Sequence, residues 1–168
     1  LAVRKAIQGA TSHHLGQNFS KPFGIEFLDQ SGKKQHPWQN SWGISTRALG
    51  ILVIMHSDDK GLVLPPRIAP VQVVIIPIVF EKGKEEVLKK AHEMKKKLAK
   101  FNVHLDDRDN YTPGWKFNEW ELKGVPIRIE IGPKDLEKKQ VIIVRRDTGE
   151  KESAGWNSLD KIVGTKLE

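Results

Sequence analysis

"VQVVIIPIVFEKGKEEVLKKAHEMKKKLAKFNVHL" occupies residues 71–105, and its changes of period decide the fold. Residues 71–80 are the longest apolar stretch of the chain, interrupted by Gln72 and Pro77. The stretch is too short to span a bilayer and reads as a buried strand over 71–77. From residue 84 the period becomes helical. Val87, Ala91, Met94, Leu98 and Phe101 fall on one stripe, which predicts a helix over 84–101. Residues 103–105 return to a strand pattern. Strand, helix, strand is a βαβ-like rhythm. Downstream, "YTPGWKFNEWELKG" predicts a turn and a short helix ended by Gly124. "VPIRIEIG" and "QVIIVRR" predict two more strands, the second followed by a turn at 147–149. The expectation is a small α/β domain with a mixed sheet over residues 68–152, then a weakly patterned tail over 153–168.

Upstream the pattern differs. Thr11 or Ser12 can cap a short helix over 11–19 that Pro22 stops. "FGIEFLDQSGKKQHPW" predicts a hairpin turning at Gln30, Ser31 and Gly32. "QNSWGIS" predicts a strand in which Gly43 allows close backbone approach, and residues 46–55 a helix. "HSDDKG" ends that helix, and "LVLPPR" is a segment stiffened by Pro65 and Pro66. The expected domain boundary lies at 67/68.

The chain has 168 residues, 38% hydrophobic and 29% charged, enough for one ordinary domain or two small ones. It has no cysteine, which excludes a disulfide framework and a cysteine-based zinc site. No signal peptide is visible, so cytoplasmic residence is the default. Because the first residue is Leu1, the sequence is expected to begin partway through a longer protein. A net charge of +7 favours a polyanionic partner such as nucleic acid.

Several motifs are weak as chemistry. The lysines of residues 84–100 alternate with Glu85, Glu86 and Glu93, which suits a solvated helix face. His13 and His14 are adjacent and cannot easily share one metal ion, and no HExxH motif occurs. "DDRDNY" lacks the spacing of a calcium loop and suits turn formation. There is no phosphate-cradling glycine loop and no nucleophile elbow. Two stretches carry more. "NSWGISTR" offers Trp42, Gly43, Ser45, Thr46 and Arg47 as a small-ligand floor, the arginine facing a phosphate or an adenine ring. "WKFNEWELKGVPIRIEIGPKD" concentrates aromatics with Glu121, Lys123, Arg128 and Lys134, a mixture that can stack on unpaired bases and read their edges. There Trp120 is more readily a core residue.

Taken in order, "AIQGATSHHLGQNF", "QNSWGISTR", "GLVLPPRIAPVQVVIIPI", "DDRDNYTPGWKFNEWELKGVPIRIEIGPKD" and "VRRDTGEK" resemble the prolyl-tRNA synthetase family over most of residues 4–152. The branch is the archaeal and eukaryotic type, which some bacteria share. The resemblance implies a class II synthetase. Residues 1–67 would be the end of its antiparallel catalytic sheet with motif 3, and 68–152 its α/β anticodon-binding domain. It implies an ATP-dependent ligase that activates L-proline as the adenylate, with magnesium in the substrate complex, and transfers it to tRNA(Pro). It implies no structural metal in this chain, no membrane, and a homodimer in the complete enzyme.

Residue by residue, the resemblance places Gln8, Thr11, Ser45 and Arg47 at ATP, with Arg47 as the catalytic charge-stabilising group. Gln8 could also help to hold magnesium. It places His13, Trp42 and Gly43 at proline, and leaves His14 structural. Phe117, Glu121, Arg128, Lys134 and Lys151 would approach the anticodon guanines. A carboxylate can accept from guanine N1–H and N2–H, while Arg or Lys can donate to O6 and N7. The chain departs from the family pattern at Arg4 and in "HSDD", both places where the family shows glycine. Motifs 1 and 2 and the C-terminal zinc region have no counterpart here. The chain alone is therefore expected not to aminoacylate. The competing reading is a non-catalytic RNA-binding module derived from such an anticodon-binding domain.

Overall fold

The computed structural model describes residues 6–79 and 83–168; Arg4 and Phe80 lie outside the described residues. The chain divides into two compact units, Leu1–Met55 and His56–Glu168. These units meet at 55/56, whereas the domain boundary expected from the sequence lies at 67/68.

In the first unit, strand β1 (Ala10–Gly16) replaces the helix expected over 11–19. Short strands β2 (Phe27–Leu28) and β3 (Lys34–Gln35) form the expected hairpin. Strand β4 (Gln39–Ile44) pairs antiparallel with β1, and helix α1 covers Arg47–Met55. The hairpin turn is held by Asp29, which accepts from the Ser31 and Lys33 backbone N–H groups and from Gln35 Nε2 at 2.8–3.0 Å. With the Ser31 hydroxyl, these bonds lower the Asp29 pKa to about 2. β1 is a strand because its donors and acceptors are satisfied across the ladder to β4 rather than within one turn. Ser20 is the one buried residue of this unit among those described, and no residue of α1 is buried.

The second unit opens with a small hairpin, β5 (Ser57–Asp58) and β6 (Gly61–Leu62), where only the end of a helix was expected. Then come β7 (Val73–Pro77), α2 (Lys84–Lys97), β8 (Val103–Leu105), α3 (Pro113–Leu122), β9 (Ile127–Ile131), α4 (Pro133–Glu137), β10 (Gln140–Arg145), β11 (Lys151–Gly155) and α5 (Leu159–Leu167). The sheet order is β11-β10-β9-β7-β8. β7 runs parallel to β8 and β9, whereas β10 runs antiparallel to β9 and β11, so the sheet is mixed as expected. Residues 153–168 are weakly patterned as sequence, yet they complete β11 and form α5.

The two faces of this sheet differ. One carries Val73, Ile75, Ile127, Ile129, Ile131, Val141, Ile143 and Ala154, covered by Val87, Ala91, Met94 and Leu98 and by Leu159, Val163 and Leu167. On the other face Val74 and Ile76 pack under Trp120 and Val125. Strand alternation then sends Arg128, Glu130, Val144 and Lys151 to that second face. The face is thus apolar at β7, under α3, and charged toward β11. The lysines of α2 lie outside its buried stripe, and Lys90 pairs with Glu93 at 2.8 Å.

Candidate nucleic-acid interface

Register builds the second unit's site. Arg128 stands opposite Val74 on β7 and Val144 on β10, and Val144 stands opposite Lys151 on β11. Val74, Arg128, Val144 and Lys151 therefore form one row across four adjacent strands. Helix α3 supplies the wall above this row. It starts where Thr112 Oγ1 accepts from the Trp115 backbone N–H at 3.3 Å and Pro113 occupies the first turn. Glu121 follows Phe117 by one helical turn, so both flank the same side of α3. The Arg128 guanidinium lies 4.6 Å from the Phe117 ring centroid and donates from Nε to Glu130 Oε1 at 3.0 Å.

The result is a cleft of about 200 Å³ lined by five cationic side chains, Lys60, Arg128, Arg145, Arg146 and Lys151, and one carboxylate, Glu121. Of the residues expected at an anticodon, Glu121, Arg128 and Lys151 line this cleft, and Phe117 stacks against Arg128. Lys134 is exposed on α4, beyond the carboxyl end of β9, and does not line it. Lys60, Arg145 and Arg146 were missed. "VRR" reads as a strand end and "HSDDKG" as a helix stop; nothing local brings them together.

A second network anchors α3 and its preceding loop. The buried Asp106 carboxylate accepts from Arg108 Nε at 2.8 Å and Nη2 at 2.7 Å, and from Trp120 Nε1 at 2.7 Å. Lys116 Nζ donates to the backbone carbonyls of Asp106 and Arg108, and Arg108 also pairs with Glu119. Burial alone would raise the Asp106 pKa, but bonds from Arg108 and Trp120 and the charge of Lys116 bring it to about 2. "DDRDNY" thus does more than make turns: Asp106 pins the Trp120 side of α3.

In the first unit, Thr11 stands opposite Gly43, and His13 opposite Ser41. Gln8, Thr11, Gly43, Ser45 and Arg47 line an open depression of about 310 Å³. Arg47 Nη1 donates to Gln8 Oε1 at 3.5 Å, and Gly43 leaves Thr11 Oγ1 room, 3.6 Å from where a Cβ would sit. His13 shares that face by alternation without lining the depression. Trp42 stands opposite Ser12 on the other face and is 78% exposed, so the pair does not bring it beside His13. His14 Nδ1 bonds Asn40 Oδ1 at 2.8 Å, and its ring stacks on Trp38 at 5.7 Å. Among the described residues no group of three His, Cys, Asp or Glu could hold a metal ion. Amide and hydroxyl donors beside one guanidinium suit a magnesium–nucleotide complex, whose phosphates bring their own anionic ligands.

The second unit thus combines a five-stranded mixed sheet with a basic, aromatic-flanked cleft on its open face. The anticodon binding domain family matches residues 72–166, and the chain belongs to it. It is also similar to proline–tRNA ligases. It is 54% identical over 165 residues to that of Alkaliphilus oremlandii, covering 98% of this chain and 34% of the relative. It is 55% identical over 148 residues to that of Natranaerobius thermophilus, covering 88% and 31%. With proline–tRNA ligase 2 of Bacillus cereus it shares 54% over 164 residues, 98% and 34%. The chain thus spans about a third of the length of the curated relatives it matches. No helix among the described residues is long and apolar enough to cross a membrane.

Proposed function

We propose that this chain is part of a proline–tRNA ligase, in which the second unit reads the anticodon of tRNA(Pro) and the first contributes to the ATP and proline site. The observation that carries this is the row Val74–Arg128–Val144–Lys151 with Glu121 at its rim. Arg128, backed by Phe117, donates to guanine O6 and N7; Glu121 accepts from N1–H and N2–H; Lys151 offsets backbone phosphate charge. Lys134 approaches the same RNA from outside the cleft.

In the first unit the reaction is attack of a proline carboxylate oxygen on the α-phosphorus of ATP, with pyrophosphate leaving. Its demands are alignment and charge stabilisation. Arg47 offsets phosphate charge without moving a proton. Gln8, Thr11 and Ser45 supply neutral hydrogen bonds to the nucleotide. His13, Trp42 and Gly43 are assigned to proline on the family resemblance. Trp42 stands on the other face of the β1–β4 pair from His13. Cytoplasmic residence and a homodimer belong to the same reading of the complete enzyme.

The test is a pair of variants, Glu121→Gln and Arg128→Met, titrated with an anticodon stem–loop of tRNA(Pro). Each should cut discrimination for the guanines by roughly 5- to 100-fold, the range of one good base contact. Variants that discriminate as well as the parent would remove these residues from base reading.

A further inference from the structure

The β5–β6 hairpin belongs to the second unit, although a single residue separates it from α1. Two contacts seat it beside the cleft. Arg146, whose side chain is 4% exposed, donates from Nη1 and Nη2 to both carboxylate oxygens of Asp58 at 2.8 and 2.6 Å. The backbones of β6 and the end of α3 then meet at two glycines. A Cβ on Gly61 would lie 2.5 Å from Leu122 Cα, and one on Gly124 2.6 Å from Leu62 Cβ. The turn of this seated hairpin is fixed in its turn: the Lys60 N–H donates to Asp58 Oδ1 at 2.9 Å. Lys60 Nζ reaches Glu121 Oε1 at 3.4 Å, and both side chains line the cleft.

We propose that the Ser57–Leu62 hairpin is a working wall of the RNA cleft and that Lys60, on its turn, is the positioning residue that aims Glu121 at guanine. The proposal rests on the anticodon reading above. A glutamate on a helix surface explores several rotamers, and an incoming polyanion repels its charge. Lys60 counters both effects. It restricts the carboxylate to the cleft side of α3 and offsets the repulsion between that charge and the phosphates. The lysine is held from a backbone that Asp58 and Arg146 fix, so the restraint does not depend on the RNA.

The experiment is a double-mutant cycle of Lys60→Met and Glu121→Gln in this chain. Affinities are measured for the tRNA(Pro) anticodon stem–loop and for one with its guanines replaced. Lys60→Met should lose on the order of tenfold in discrimination, within the range of one base contact, and Lys60→Arg should retain it. Adding Lys60→Met to Glu121→Gln should lose nothing further. The lysine is mostly exposed, so thermal melting should show all variants folded. Equal loss on both RNAs with a shallower salt dependence would make Lys60 a phosphate contact and overturn the positioning role. Unchanged discrimination in Lys60→Met would overturn it as well. If the parent chain does not discriminate, the anticodon reading falls and takes this inference with it.

Discussion

Asp106 sits in a loop and is nevertheless 1% exposed, with a guanidinium, an indole N–H and a lysine converging on it. A carboxylate in that position is tolerable because both of its oxygens accept hydrogen bonds and Lys116 Nζ lies 3.8 Å from Oδ1. Its folded pKa of about 2 lies below the ordinary 3.8. Protonation therefore favours the unfolded chain. The stabilisation is complete above about pH 4 and is lost as pH falls toward 2. Urea midpoints measured from pH 5 to pH 2.5 should fall through that window. Asp106→Asn should start lower at neutral pH and show a flatter acid limb; an unchanged limb would mean that other carboxylates carry it. The role was not legible in "DDRDNY", because its partners Lys116 and Trp120 lie on a helix that must first dock. The faces that Arg128 and Glu121 occupy are fixed locally, by strand alternation and helical spacing, whereas their anticodon role comes from the family resemblance.

Among elements, those defined by local chemistry were readable. The β2–β3 hairpin follows from Asp29, Ser31 and Gly32, and α2 from its apolar stripe. β1 was not, because Thr11 and Ser12 suit a helix cap equally well, and the ladder to Gly43 and Trp42 decides the matter from about thirty residues away. α5 was hidden for a similar reason: Leu159, Val163 and Leu167 make a short stripe that only a preformed sheet completes. The β5–β6 hairpin depends on two close approaches. Gly124 has φ +73°, and a Cβ there would strike Leu62. Gly124→Ala should therefore cost at least about 2 kcal/mol, combining left-handed strain with displacement of the hairpin. Denaturant unfolding checks this, and a cost below about 0.5 kcal/mol would mean that the hairpin is not seated on α3 as described.

At the scale of the whole molecule, the two units are unlike in what they bury. The second has a continuous core on one sheet face and a smaller one beneath α3. The first exposes Trp38, Trp42, Ile44, Leu49 and Met55 and buries only Ser20 among its described residues. Such a surface suits a piece of a larger sheet, which accords with relatives three times as long. The proposed RNA reading is assigned to the second unit and is testable in this chain as it stands. The most direct measurement is the equilibrium affinity of the chain for tRNA(Pro) against the same tRNA with its anticodon guanines replaced, at one fixed salt concentration. Anticodon reading should make the unaltered tRNA bind tighter by at least about tenfold, the scale of losing specific base contacts. Equal affinities would contradict it and leave the basic cleft as a non-specific polyanion surface.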